Sequence, residues 1–379
     1  GIGKGRAIVA AALVMARQGK GAVTVAAPTI AVMEQLYLEF CALDPAQRGA
    51  VRARMLPGAA EFVDDVALKE HLAGVREDPE LTPDEAVEQW VASGGKPLDP
   101  NRPLARSIGK AAAWLTDDLR RIATTTPIEA FSLRSGKPMQ DANGHMGEAV
   151  AILDQVRECS RSDAEVVFCT HAMLAIMQLS QWRFGPEPAV LIVDEAHLLE
   201  HAVATINTHA VSLYSLRVTL SRYVRSRGLG AGSAAKKAVK VANELQQLIG
   251  NLEATGTQYT LSIDGPDKPH LYQRILENVG ALAKLLASKG VETMPHAEHF
   301  REGLRKIHKG LGVTGEARTD RVDVSYSPDR RYPSLQCGPS SVGPQLGSIW
   351  KEASEGVALA SATLYVMDAF GNTRGDYMR

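Results

Sequence analysis

Four short, nearly continuous apolar runs are the clearest pattern along the chain. They are GAVTVAA (21–27), EVVFC (165–169), AVLIVD (189–194) and GVALAS (356–361). Apolar runs of this length are typical of strands that are covered on both faces, as in a parallel sheet. Helical patterns follow the first two runs, at 29–40 and 171–179, so strands and helices alternate. The pattern predicts an α/β fold with a parallel sheet and flanking helices.

The predicted strands are unevenly spaced, and two long segments interrupt them. Loops of this length without structure of their own are uncommon in compact domains. We therefore interpret residues 46–145 and 201–344 as two inserted, mainly helical subdomains. The sheet domain is then assembled from residues 1–45, 146–200 and 345–379.

The first six residues, GIGKGR, precede an apolar helical pattern. In phosphate-binding loops, glycines let the backbone approach the phosphates and a lysine at the helix N-terminus meets the β- and γ-phosphates. The motif predicts a nucleotide site formed by Gly1, Gly3, Lys4, Gly5 and Arg6. An ordinary glycine turn is the alternative interpretation of this stretch alone.

A second motif, VLIVDEAHLLE, places two acids and a histidine at the carboxyl end of a predicted strand, where α/β sheets bind their ligands. There Asp194 is suited to hold Mg²⁺ through water, and Glu195 to orient and deprotonate an attacking water. A solvated turn after the strand is the alternative. His197 completes the string Asp-Glu-Ala-His.

Together these motifs resemble superfamily 2 helicases of the DinG and XPD type, and two further strings extend the match. VAAPTIAVMEQL resembles motif Ia, which implies that Thr29 and Gln35 lie near the nucleic-acid backbone. AEVVFCTHAML resembles the family's NHALL segment, with Thr170 in place of Asn and His171 retained as a nucleic-acid-binding candidate.

ALASATL resembles motif III of the same family, which implies that Ser361 and Thr363, with His197, couple hydrolysis to movement of the bound strand. The matches run in order over residues 1 to 364. The resemblance implies a RecA-like first motor lobe, ATP and Mg²⁺ as cofactors, and 5′ to 3′ helicase activity on single-stranded DNA, a DNA duplex or an R-loop.

The cysteines depart from the family pattern. Family members with an iron–sulfur cluster bind it with four cysteines in the first insertion, whereas here only Cys159 lies between motif Ia and the strand at 165, and Cys41 borders that stretch. We predict no iron–sulfur cluster. Loss of the cluster and the GIGKGR loop most resemble the DinG helicase that accompanies type IV CRISPR systems, which makes a CRISPR ribonucleoprotein complex a candidate partner.

Gly5 is a second departure, because the family has Ser or Thr there to ligate Mg²⁺. By analogy with a charge-assisted hydrogen bond, the loss is about 1.5 to 3 kcal/mol. That is roughly a 10- to 100-fold lower rate if the loss is felt only in the transition state. The resemblance also implies a second RecA-like lobe beyond these residues, so we expect this fragment alone to hydrolyse ATP poorly.

The formal net charge is only -1, so any affinity for nucleic acid has to come from local basic patches. One such patch opens the second insertion, where a single acid accompanies the cations Arg217, Arg222, Arg225, Arg227, Lys236, Lys237 and Lys240. We interpret it as a surface that follows phosphates; a solvated helix face is the alternative.

The composition is that of an ordinary globular protein, with 45% hydrophobic and 22% charged residues. The apolar run at 7–16 is too short to span a bilayer, so no membrane partner is expected. The dispersed cysteines favour a reducing cytoplasm. Two rival functions remain: a helicase-derived adaptor that binds nucleic acid without hydrolysis, and a nucleotide-gated nuclease, which would need a metal-binding acid cluster.

Overall fold

A computed structural model describes residues 3–77, 84–109, 112–124, 126, 128–133, 138–230, 232–253, 256–261, 269–294, 296–313, 319–327, 332–361, 366–367 and 373–374. The chain forms two compact units. Unit 1 comprises residues 1–203 and 343–379, and unit 2 comprises residues 204–342.

The helices are α1 Lys4–Arg17, α2 Ile30–Cys41, α3 Pro45–Arg48, α4 Asp65–Glu77, α5 Glu85–Ala92, α6 Pro103–Ile108, α7 Thr116–Ile122, α8 Glu148–Ser162, α9 His171–Leu179, α10 Leu199–Asn207, α11 Leu213–Ser226, α12 Ala234–Gly250, α13 Pro269–Leu286, α14 Ala297–Gly312 and α15 Gly343–Glu352. The strands are β1 Ala22–Ala27, β2 Ala53–Leu56, β3 Val166–Thr170, β4 Pro188–Asp194, β5 His209–Ser212, β6 Gln258–Leu261, β7 Asp320–Ser325, β8 Ser334–Pro339, β9 Gly356–Ala360, β10 Val366–Met367 and β11 Thr373–Arg374.

Unit 1 is built on a five-stranded sheet with the order β2-β3-β1-β4-β9, and every adjacent pair in it is parallel. All seven residues of β4 are buried, as a strand covered on both faces requires. The predicted α/β class and parallel sheet are therefore confirmed. The fifth strand, β2, was not predicted; it lies at one edge of the sheet.

The first predicted insertion contributes to the same hydrophobic core as the sheet. Phe62 and Trp114, which are 0% and 1% exposed, belong to one cluster with Val25 of β1 and Phe168 of β3. The Trp114 ring also meets that of Trp90 edge to face, with ring centroids 5.4 Å apart. Residues of this segment thus stabilise the unit that contains the sheet.

Unit 2 combines helices α11 to α14 with an antiparallel sheet of order β5-β8-β7-β6. A mainly helical insertion was predicted here, but its four strands were not. Leu245 of α12, Ile275 of α13 and Leu304 of α14 are fully buried in a core shared with Val322 of β7. Within the described residues, no helix of either unit is both long and apolar enough to cross a membrane.

Candidate nucleotide site

The carboxyl edge of the unit 1 sheet brings together the ends of several strands that carry polar residues. Asp194, the last residue of β4, pairs in register with Ala360, the last residue of β9. Next to β4 on its other side, Ala27 at the end of β1 pairs with Thr170 at the end of β3. Residues that follow these strands therefore lie at one edge, where parallel sheets bind ligands.

Lys4 reaches this edge from the start of α1. Its Nζ lies 2.9 Å from Oδ1 of Asp194 and also donates a hydrogen bond to Oε1 of Glu195, 191 positions further along the chain. Gly3 immediately before the helix has φ 108°, a left-handed conformation that side chains disfavour. The glycine turn, the lysine and the acidic pair thus form one site.

The two acids control the charge of Lys4. Partial burial lowers the pKa of its ammonium, but the hydrogen bonds and charges of Glu195 and Asp194 outweigh that effect and raise the pKa above its usual value. Lys4 is therefore a cation at any physiological pH, as a phosphate ligand has to be.

Asp194 and Glu195 differ in their surroundings. Asp194 is only 4% exposed, and its Oδ1 accepts a hydrogen bond from the backbone N–H of Glu195 at 2.9 Å. Glu195 is half-buried and has φ 48°, a left-handed conformation that is uncommon for a residue with a side chain. Such backbone strain persists where the surrounding structure imposes it and is concentrated at functional sites.

A hydrogen-bonded cluster connects Glu195 with the residue that follows β9. Nδ1 of His197 lies 2.7 Å from Oγ of Ser361 and 3.4 Å from Oε2 of Glu195. Oγ of Ser361 lies 3.5 Å from the same carboxylate oxygen. The structure therefore brings together three of the predicted catalytic and coupling residues. Two further predicted residues, Gly1 and Thr363, lie outside the described residues.

His171 is placed differently from the prediction. The side chain was predicted to contact nucleic acid, but it is 1% exposed, and its Nε2 donates a hydrogen bond to the main-chain oxygen of Asp194 at 2.8 Å. Burial lowers the pKa of His171, which favours the neutral ring. Its contact is with the backbone of the site, so we interpret it as a positioning residue.

Gly5 faces a carboxylate that no motif of the sequence indicates. A Cβ atom at position 5 would lie 2.6 Å from Oε2 and 2.9 Å from Oε1 of Glu39, in the last turn of α2. The Oε1 atom accepts a hydrogen bond from Nε2 of Gln35 at 3.2 Å, whereas the buried Oε2 has no hydrogen-bond partner among the described residues. Glu39 thus occupies the volume that a side chain at position 5 would need.

The motif Ia residues have local roles in α2. The exposed Thr29 caps the helix, its Oγ1 accepting a hydrogen bond from the N–H of Val32 at 3.3 Å. Gln35 is also exposed, and its side-chain amide donates a hydrogen bond to Oε1 of Glu39. The contact of both residues with a nucleic-acid backbone stays a prediction.

The predicted basic surface belongs to unit 2, on α11, on α12 and in the turn between them. Arg217 is half-buried, and its guanidinium lies 5.6 Å from the ring centre of Tyr214. Arg227 makes a similar contact with Tyr223, at 5.8 Å. The exposed members of the set are Arg222, Arg225, Arg227, Lys236, Lys237 and Lys240.

The donor set fits a magnesium–nucleotide complex better than a metal bound by protein groups alone. Within the part of the chain that the structure describes, no three His, Cys, Asp or Glu side chains are grouped so that they could hold a metal ion. Asp194 supplies one buried carboxylate, and Mg²⁺ in nucleotide sites commonly takes one or two carboxylates and completes its shell with water and phosphate oxygens. The acid cluster that a nuclease requires is not present among these residues.

Comparison with known proteins gave matches among solved structures alone. No family model and no curated protein matched the chain. One similar structure, described as an XPD helicase, has 12% sequence identity and a TM-score of 0.45, and the match covers 94% of this chain and 53% of that one. Another, the structure of S. tokodaii Xpd4, has 14% identity and a TM-score of 0.42 over 99% of this chain and 54% of its own. The chain thus spans about half the length of these two structures.

Proposed function

We propose that this chain is the first motor lobe of an ATP-dependent helicase or translocase that acts on single-stranded nucleic acid. The observation that carries the proposal is the contact of Lys4, at the start of α1, with Asp194 and Glu195 at the carboxyl end of β4. A lysine that begins a helix after a glycine turn, beside an acidic pair at a strand end, is the arrangement that nucleoside-triphosphate hydrolysis requires.

Each residue has a separable role in this proposal. Lys4 exchanges its carboxylate partners for the β- and γ-phosphates. Bound Mg²⁺ supplies charge neutralisation for the phosphates, and Asp194 is the residue that would hold it through water. Glu195 orients a water and accepts its proton on a carboxylate oxygen. His197 and Ser361 contact that same carboxylate, so they are suited to transmit its state to the end of β9.

The finer assignment follows from the resemblance of the motifs. We infer a DinG-type enzyme that moves 5′ to 3′ on DNA, contains no iron–sulfur cluster and serves a CRISPR effector complex. The GIGKGR loop and the scarcity of cysteines before β3 support this assignment. DNA-stimulated ATP hydrolysis by the full-length protein, with unwinding of duplexes that carry a 5′ overhang, is the expected result. Unwinding only from a 3′ overhang would contradict the polarity.

A second candidate function is a non-hydrolysing adaptor that binds nucleic acid. One observation favours it: position 5 lacks a hydroxyl group, and the carboxylate of Glu39 lies in its place. An ATPase assay on the full-length protein separates the two functions, because the adaptor binds single-stranded DNA without nucleotide turnover.

Replacing Gly5 by Ser is expected to raise ATP turnover of the full-length protein by roughly 10- to 100-fold, the equivalent of about 1.5 to 3 kcal/mol. The new side chain can be accommodated because the atoms it meets are the far end of the flexible Glu39 side chain. Gly5→Ala is the matched control, since it displaces Glu39 without supplying a hydroxyl. Equal turnover by the two variants would show that the hydroxyl is not the missing element.

Neutralising the predicted basic surface is expected to weaken the salt dependence of single-strand binding. If three to five cations contact phosphates, they contribute about -0.7 each, or roughly -2 to -4 in total, to the slope of log affinity against log salt. The variant replaces the exposed residues Arg222, Arg225, Lys236 and Lys237 by Gln. The measurement is fluorescence anisotropy of a labelled oligonucleotide across a salt series.

A control variant removes four exposed cations of unit 1: Arg17, Lys20, Arg183 and Lys351. This variant is expected to keep the slope of the unmodified protein. An unchanged slope in the α11–α12 variant would mean that these cations form a solvated helix face.

A further inference from the structure

Unit 2 contains a second basic feature, on different helices from the predicted surface. A cavity of about 480 Å³ lies between α13 and α14. We call it the α13–α14 groove; its lining residues are Gly280, Ala283, Lys284, Ala287, Arg301, Arg305 and His308. A volume of this size is within the range of ligand sites.

Small residues on α13 create the space. Gly280 and Ala283 of α13, with Ala287 directly after its last residue, form one wall of the groove. A Cβ atom on Gly280 would lie 2.7 Å from Nε2 of His308, so the imidazole ring packs directly against the backbone of α13. The long side chains that line the groove are those of Lys284 on α13 and of Arg301 and Arg305 on α14.

The charge of the groove has one sign. Lys284 and Arg305 are exposed, and neither forms an ion pair with any described residue. Arg301 is paired through Nη2 with Glu298, but its buried Nε has no hydrogen-bond partner within the described part of the chain. No acidic side chain is among the lining residues.

The arrangement of these groups indicates an extended anion. Arg301 and Arg305 lie one helical turn apart on α14, about 6 Å along the helix, and Lys284 lines the same groove from α13. A single phosphate ion would require donors that converge on one point, whereas a row of cations matches the regularly spaced charges of a phosphodiester chain.

We propose that the α13–α14 groove binds backbone phosphates of a single-stranded nucleic acid, through Lys284, Arg301 and Arg305. The inference rests on the proposed function only for the identity of the polymer. It adds a contact surface separate from the cations of α11 and α12, and it does not require nucleotide hydrolysis.

The test uses the full-length protein without nucleotide and a labelled single-stranded oligothymidylate. The variant Lys284→Gln/Arg305→Gln is expected to bind more weakly and to have a salt slope shallower by about 1.4, two contacts at roughly 0.7 each. The matched control is Lys306→Gln/Lys309→Gln, which removes two exposed cations of α14 outside the groove and is expected to keep the slope of the unmodified protein.

Two results would overturn the proposal: no change of slope in the groove variant, or an equal change in both variants, which would indicate a general effect of net charge. Inorganic phosphate, added at a concentration equal to that of the phosphate groups of the oligonucleotide, is expected not to displace it. Displacement would mean that the groove binds a free anion. These readouts measure binding alone. If the unmodified protein did not hydrolyse ATP, that result would contradict the proposed motor function but not the proposed role of the groove.

Discussion

Replacing Glu195 by Gln is expected to lower DNA-stimulated ATP turnover of the full-length protein by roughly 10²- to 10⁴-fold, the usual contribution of a general base. Gln keeps the size of the side chain and can still accept a hydrogen bond from Lys4 or His197, but it cannot take a proton from water. Asp194 still pairs with Lys4, at 2.9 Å, so nucleotide binding is expected to persist. A loss of turnover with retained binding is the signature of a residue that acts only in the chemical step.

The measurements are steady-state phosphate release with single-stranded DNA and equilibrium binding of a fluorescent ATP analogue. Glu187→Gln is the matched control, because it neutralises an exposed acid just before β4 without touching the site. Turnover at the unmodified rate in a preparation of Glu195→Gln free of contaminating ATPase would remove Glu195 from its assigned role.

Replacing Lys4 by Ala is expected to weaken nucleotide binding as well as turnover. A hydrogen bond to a charged group contributes roughly 1.5 to 3 kcal/mol, which corresponds to about a 10- to 100-fold loss of affinity. The change also leaves Asp194, which is 4% exposed, without its cation. The two effects have the same direction, because an unpaired buried carboxylate repels an incoming triphosphate.

Binding of the fluorescent analogue distinguishes this variant from Glu195→Gln, which is expected to retain affinity. Lys20→Ala is the control. Lys20 also lies between two glycines, and its Nζ also pairs with an acid, Glu355, at 2.7 Å. Unaltered affinity in Lys4→Ala would show that the contact with the acidic pair is a structural ion pair and that phosphates bind elsewhere.

The parallel sheet of unit 1 was predictable because its central strands are continuous apolar runs. A strand buried on both faces has to be apolar at every position, and β4 is buried at all seven. The same argument explains the missed elements. β2 is a short strand at the edge of the sheet and contains Arg54. The antiparallel strands β5 to β8 have polar residues among the apolar ones, so none of them is a continuous apolar run. Their pairing depends on partners far along the chain.

The site was predictable in its two strongest motifs, since a lysine after a glycine turn and an acidic pair after a buried strand each have a specific chemistry. The environment of each site residue in the folded chain was not predictable. His171 is buried against the main chain of Asp194, and the position of Glu39 beside Gly5 has no counterpart in the local sequence pattern. Both depend on how α2, α9 and the sheet pack together.

The sequence by itself therefore determined the local properties of this protein: which segments are covered strands, which turns require glycine, and where cations and acids are concentrated along the chain. Tertiary structure alone decided which of these residues meet. Lys4 and Asp194 converge because α1 packs on a sheet whose strands end at a common edge, and the α13–α14 groove exists because two helices pack around small residues. Such contacts join residues far apart in sequence, and only the packing of the folded chain fixes their distances.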